Sequence, residues 1–271
     1  MGVPFFGWAA KRLFGTRNQR QVSRYLEKVN RVNAFEDEMR ALTDVELRAK
    51  TGEFRTRIVE GGEVGYELIP EIFAVAREAM DRAVGIRNIF NPAAGFDPAT
   101  LPDDARQLFD EVKAVIDQTE PMPPEGDLLG CEEPVPSWQF VDIPTPLYDA
   151  VRVLFPESKP PFRARPFDVQ LIGGTVLSEG RIAEMKTGEG KTIVAPLACY
   201  LACVENKQVH VVTVNDYLVQ RDRDWTFPFF RALGLTVGAI HPFHMQSGDL
   251  KKSMYDCNVV YGTTAEFGFD Y

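Results

Sequence analysis

The eight residues Met185 to Thr192, M-K-T-G-E-G-K-T, lie between an apolar run that reads as a strand and one that reads as a helix. This arrangement predicts a phosphate-binding loop and so confines its surroundings to an α/β fold. Backbone N–H groups can wrap a phosphate only where no Cβ blocks the approach, which explains Gly188 and Gly190. Lys191 is then expected to meet the β- and γ-phosphates. Thr192 opens the helix, so its hydroxyl is expected on Mg²⁺ while the positive helix end faces the anion. The long form G-x-x-x-x-G-K-[ST] has glycine where this chain has Met185, so the loop is closer to the shortened one of helicase-like motor ATPases.

The chain around the loop supports a parallel sheet. After Pro166, Asp168 is predicted to cap a helix through Leu177, Arg181 to Met185 reads as a strand, and Thr192 to Val204 as a helix. Val209 to Val214 reads as a buried strand, Asn215 and Asp216 as caps of a helix to about Leu233, and Thr236 to Ile240 and Asn258 to Tyr261 as further strands. Strands alternating with helices imply a parallel sheet with helices on both faces and a ligand at the carboxyl ends of the strands.

Before this half, three helices are predicted. The first spans Asn18 to Asn33 with Val22, Leu26, Val29 and Val32 on its apolar side. The second follows the capping-box pair Thr43 and Glu46 and breaks at Gly61-Gly62. The third starts at Pro70, buries Ile72, Val75, Ala76, Ala79 and Ala83, and ends near Gly85. The first 28 residues hold Lys11, Arg12, Arg17, Arg20, Arg24 and Lys28 against Glu27, with Val3, Phe5, Phe6, Trp8 and Leu13. A solvated helix end with core anchors accounts for this start, and so does a segment that touches anionic lipid or an acidic partner.

Residues 88–163 differ in composition, with 13 of the 19 prolines and 14 Asp and Glu against 5 Lys and Arg. The net charge of −9 therefore belongs to this acidic insertion, and the rest of the chain is formally neutral. Within it, Leu108, Phe109, Val112, Val115 and Ile116 mark one amphipathic helix, while Pro121, Pro123, Pro124, Pro134 and Pro136 keep the following part extended. The expectation is a partly ordered surface excursion, serving either as a passive loop with one docked helix or as a partner-binding or gating element. Acidity argues against a nucleic-acid groove. There is no run of 18 apolar residues and no signal-peptide pattern, so a cytoplasmic location is expected. Cys131, Cys199, Cys203 and Cys257 form no C-x-x-C pair, which supports neither a zinc site nor a disulfide framework.

Five separated stretches occur in an order that resembles the SecA family of protein-export motor ATPases. They are F-D-V-Q-L-I-G-G from Phe167, I-A-E-M-K-T-G-E-G-K-T from Ile182, H-V-V-T-V-N-D-Y-L from His210, Q-R-D from Gln220, and Y-G-T-T-A-E-F-G-F-D-Y from Tyr261. The segment Arg17 to Gly85 is also similar to that family's helical N-terminus. The resemblance implies that residues 1–87 and 164–271 form most of a RecA-like motor domain, interrupted by 88–163. It implies ATP and Mg²⁺ as cofactors, with Gln170 reading the adenine edge through the paired donor and acceptor of its amide. Gly188, Glu189, Gly190, Lys191 and Thr192 carry over as phosphate and metal contacts, and Asp216 and Arg221 match motor-motif positions that a helix cap and a surface arginine explain equally well.

In that family a short G-M-R-H-type step leads directly into F-D-V-Q, whereas here the insertion separates Gly85-Ile86-Arg87 from Phe167. The rim of the adenine pocket is therefore expected to be rebuilt with Arg165 or Phe162. The acidic motif that would bind Mg²⁺ and polarise water is expected after Tyr271, so residues 1–271 should bind nucleotide better than they hydrolyse it. The partners implied are a SecYEG-type membrane channel, unfolded preproteins and, through the basic N-terminus, the anionic inner face of the cell membrane; a homodimer is allowed. The rival readings are a helicase-like nucleic-acid motor and a non-enzymatic nucleotide-sensing adaptor.

Overall fold

The computed structural model describes residues 17–61, 67–122 and 134–271. The basic, aromatic start from Val3 to Leu13 lies outside these residues, as do Gly62, Pro123, Pro124, Cys131 and the side chain of Val22. Helix α1 (Arg17–Ala34) buries Val29 and Val32, while Leu26 is 43% exposed. A short α2 (Glu36–Ala41) follows and buries Met39. Helix α3 (Asp44–Gly61) begins at the predicted capping box: Thr43 N donates to Glu46 Oε2 at 2.8 Å and Glu46 N to Thr43 Oγ1 at 3.3 Å. Helix α4 (Ile69–Met80) is buried on every side from Pro70 to Met80, so it is a central core helix rather than an amphipathic surface one. Its last turn passes into a π turn, Asp81–Gly85, and then a 3₁₀ turn, Ile86–Phe90.

Residues 88–163 build most of a second core, joined by Ile86, while Val135 packs into the main one. Helices α5 (Asp103–Gln118) and α6 (Thr145–Leu154) enclose Phe90, Leu101, Phe109, Val112, Ile116, Leu147, Tyr148 and Val151. Phe90 stacks on Phe109 at 4.6 Å, and Phe155 on Phe162 at 4.8 Å. The amphipathic spacing predicted for α5 is present, with Val115 on the exposed side. The helix α6 was not legible, because Pro144 and Pro146 read as breakers; Pro146 in fact occupies its first turn, where a missing N–H costs nothing.

The return strand of this region crosses the π turn at Gly85. A Cβ at Gly85 would collide with Ala164 N and the Arg163 backbone. Gly85→Ala is therefore expected to force the two strands apart and to destabilise the chain by about 1–3 kcal/mol, the cost of overpacking, which thermal melting would register. A melting temperature equal to the parent's would mean that the crossing relaxes freely.

The rest of the chain is the α/β part. Helix α7 (Asp168–Ser178) packs on α8 (Lys191–Val204), and three parallel strands follow: β1 (Val209–Thr213), β2 (Val237–Ala239) and β3 (Val259–Thr263), in the order β1-β3-β2. Val259 stands opposite both Val209 and Val237. Helix α9 (Asp216–Ala232), capped by Asn215 Oδ1 accepting from Leu218 N, covers the face that carries Tyr261, where Thr226 Oγ1 meets the Tyr261 hydroxyl. Helices α10 (Gly248–Tyr255) and α11 (Thr264–Asp270) cover the opposite face, with Met254 against Gly238 and Phe267 stacked on His210 at 4.7 Å. The chain is thus a mixed α/β fold with helices on both faces of a parallel sheet.

The strand predicted at Arg181 to Met185 does not form. Residues 181–186 are irregular, and Ile182 is 93% exposed. A strand exists only through a hydrogen-bonded neighbour, and among the described residues none flanks this segment. Among the described residues no helix is long and apolar enough to cross a membrane. Cys199 and Cys203 are buried, and burial pushes both thiols up to about 12, so they behave as small apolar residues.

Candidate functional site

The loop Met185 to Thr192 has the backbone its glycines predict. Gly188 adopts φ +90° and Gly190 φ +76°, left-handed values that side-chain-bearing residues rarely hold. Gly190 precedes the first residue of α8, and Ile193 N closes the first turn on Gly190 O at 3.0 Å. Glu189 turns back on the loop, with its Oε2 accepting from Lys186 N at 2.7 Å. Lys191 and Thr192 lie exposed in the first turn of α8, beside N–H groups without intrahelical partners, a geometry suited to an anion.

Gln170 is brought directly against this loop. It is 3% exposed, and its Nε2 donates to Glu189 O at 3.1 Å while its Oε1 accepts from Phe167 N at 2.8 Å. A Cβ at Gly190 would collide with this amide, so the glycine serves the contact as well as the turn. Helix α7 is capped by Gln170 from its third position, and not by Asp168. Asp168 instead accepts from Arg77 Nη2 at 2.7 Å.

Asp216 and Arg221 are not brought to the loop by any described contact. Asp216 Oδ1 lies 3.8 Å from His241 Nδ1, and Arg221 pairs with Asp222 at 2.6 Å. Burial pushes the His241 imidazole below its ordinary pKa, against the pull of Asp216. Phe162, an expected rim residue, is instead held in the second core by Phe96 and Phe155. Arg165 is spent on Glu36 through Nε and Nη2, at 2.7 and 2.6 Å.

What sequence reading missed is a chain of buried charges between the N-terminal helices and residues 143–163. Asp44 accepts from Arg87 Nη2 at 2.6 Å, Arg82 Nη1 at 3.2 Å, the Tyr148 hydroxyl at 2.9 Å and Ile143 N at 3.1 Å. Arg152 bonds Glu78, and Arg163 bonds Asp81 at 2.9 Å. Burial pushes the Asp44 carboxyl up, but Arg87, Arg82, Ile143 N–H and Tyr148 outweigh it and hold the pKa below the usual carboxylate range. A signal was present: Arg77, Glu78, Asp81 and Arg82 interrupt an otherwise apolar helix at spacings of three and four.

Among the described residues no cluster of three or more His, Cys, Asp or Glu could hold a metal ion. The residues present still fit Mg²⁺ as a partner of bound phosphate, because Mg²⁺ keeps several waters and takes few protein ligands, and the exposed Thr192 hydroxyl is an oxygen donor of the kind it takes.

Comparison with known proteins gives a consistent result. The SecA DEAD-like domain family matches residues 10–91 and 144–271. The Protein translocase subunit SecA of Pseudomonas savastanoi pv. phaseolicola (strain 1448A / Race 6) is 40% identical over 261 residues, and that of Pseudomonas syringae pv. syringae (strain B728a) is likewise 40% identical. The SecA of Pseudomonas fluorescens (strain Pf0-1) is 39% identical. In each case the match takes in 96% of this chain and 20% of the relative's length. The family match runs through the N-terminal helices, stops where the second core begins, and resumes at α6 to include the phosphate loop. A break at residues 92–143 leaves both ends of a single RecA-like unit matched, and the chain belongs to the SecA DEAD-like domain family.

Proposed function

We propose that this chain is the nucleotide-binding part of a SecA-type motor that couples ATP hydrolysis to moving unfolded preproteins through a SecYEG-type membrane channel. Residues 1–87 and 164–271 form the nucleotide-binding domain, and 88–163 an inserted subdomain. The observation that carries the reading is the hydrogen bond from Gln170 Nε2 to Glu189 O, which ties a base-reading amide to a phosphate-wrapping loop. An amide oxygen has two lone pairs and an amide nitrogen two hydrogens. Phe167 N takes one lone pair and Glu189 O one hydrogen, while Gly190 O lies 3.5 Å from the same nitrogen; one acceptor site and, once that long contact is exchanged, one donor then serve the adenine 6-amino group and N7. At 3% exposure the amide has to shed its present cover as the base docks.

Gly188, Glu189 and Gly190 present backbone N–H groups to the phosphates, and Lys191 places its ammonium on the β- and γ-oxygens. Thr192 offers its hydroxyl to Mg²⁺, which neutralises charge developing on the γ-phosphoryl group. The protein works at the inner face of the cell membrane, where a basic N-terminus is drawn to anionic lipid. The test is ATP hydrolysis by the native protein that carries this chain, measured with an unfolded secretory precursor and membranes, or with RNA. Stimulation by precursor and membranes is expected; stimulation by RNA alone would favour a nucleic-acid motor and sink the reading.

A further inference from the structure

The strand that returns from the second core reaches Gln170 through three charged clamps anchored on three different elements. Arg163 donates from Nε and Nη2 to Asp81 at 3.0 and 2.9 Å, and Ala164 N joins the same carboxylate at 3.1 Å. Arg165 then grips Glu36 of α2 with two parallel bonds, and Asp168 receives Arg77 of α4. Asp81, Arg163 and Arg77 are buried, and Arg165 and Glu36 are largely covered. Phe167, between the second and third clamps, is the residue whose N–H orients the Gln170 amide.

Each link fixes orientation as well as distance. A bidentate arginine–carboxylate pair defines a plane, so Arg165 cannot swing without breaking both bonds to Glu36. The backbone from 165 to 167 follows that plane, and the Gln170 oxygen follows Phe167 N. A tilt of the amide weakens a pair of directional bonds to a base edge and its own bond to Glu189 O, while the loop N–H groups stay set by Gly188, Gly190, the start of α8 and the bond from Lys186 N to Glu189 Oε2. Base recognition and phosphate recognition are therefore separable here.

We propose that Arg165 is a positioning residue for base selectivity: through Glu36 it aligns the Gln170 amide with the edge of a 6-aminopurine, and so sets the preference for a 6-amino over a 6-oxo purine nucleotide. This rests on Gln170 reading the base. A 6-oxo purine places an acceptor opposite the Gln170 oxygen, and the lost bond together with the repulsion is the source of discrimination.

The test is an equilibrium titration of the 271-residue protein with ATP, inosine triphosphate and inorganic triphosphate, comparing the parent with Arg165→Ala, Arg165→Lys and Gln170→Ala. Arg165→Ala is expected to reduce the preference for ATP over inosine triphosphate about tenfold, the equivalent of about one well-aligned hydrogen bond, with triphosphate affinity about unchanged. Arg165→Lys keeps the charge but not the fork, and is expected to fall between the two. A preference kept by Arg165→Ala but lost by Gln170→Ala overturns the role of Arg165 and leaves the base reading standing. A preference kept by Gln170→Ala, or absent from the parent, removes the base reading and the proposal with it. Parallel loss of all three ligands in Arg165→Ala marks a purely structural role and also overturns the proposal.

Discussion

Asp44→Ala is expected to be the most destabilising single substitution away from the loop, at about 3–5 kcal/mol, the usual cost of leaving buried charge unpaired. Asp44 is 8% exposed and is the one carboxylate shared by Arg82 and Arg87, which are buried to 1% and 4% exposure. It also holds the second core in place, since Tyr148 and Ile143 N bond to it from that region while Arg82 lies over the Tyr148 ring at 4.7 Å. Removing it leaves Arg87 with only the carbonyls of Trp138 and Val141, and Arg82 with Glu78 and the carbonyls of Met39, Arg40 and Leu42. Chemical denaturation of both proteins measures the difference. A loss below about 1 kcal/mol, the worth of an ordinary hydrogen bond, would mean that Glu78 and these carbonyls satisfy the arginines.

The same carboxyl predicts the pH dependence. Its folded pKa lies below the unfolded value, so the folded state binds the proton less readily. The stabilisation is present in full above the unfolded pKa, near about 3.9 for aspartate, and is lost as the pH falls through the lower folded value. The stability gap between the parent and Asp44→Asn should therefore be constant near neutrality and close only in acid below about pH 4.

Lys191→Ala is expected to weaken ATP binding about a hundredfold, because one charge-assisted contact to phosphate is worth about 1.5–3 kcal/mol and nothing else in the loop carries the same charge to the same place. In the parent the side chain is exposed in the first turn of α8, so its removal disturbs no packing. The folded state should thus melt as before while affinity falls, and titration with ATP separates the two. In the same titration Thr192→Val should lose the gain in affinity that Mg²⁺ brings. Unaltered ATP affinity in Lys191→Ala would remove the loop from the nucleotide site.

Local chemistry was legible without the structure. The Thr43–Glu46 cap, the Asn215 cap, the buried side of α1 and the left-handed glycines of the loop each depend on residues within a few positions of one another. Periodicity located β1, β2 and β3 for a related reason, that their β-branched runs are apolar whatever they pair with, although β1, expected to be buried, leaves His210 and Val212 exposed. The same logic misread Arg181 to Met185, where the pattern is present and the ladder partner is not. It also missed α6, which opens on prolines, and the short α10 and α11.

The sequence by itself determined that a phosphate-wrapping loop opens a helix in an α/β unit, because glycine conformation, helix capping and apolar period are properties of neighbouring residues. Only the tertiary structure decided that Gln170 meets that loop across 19 positions, that Asp44 gathers Arg82, Arg87 and Tyr148 from as far as 104 positions away, and that residues 88–163 form a second core instead of a loose excursion. Those outcomes depend on which charges are buried together and on which strand passes over Gly85. Burial is a property of the packed chain, and no stretch of neighbours encodes it alone.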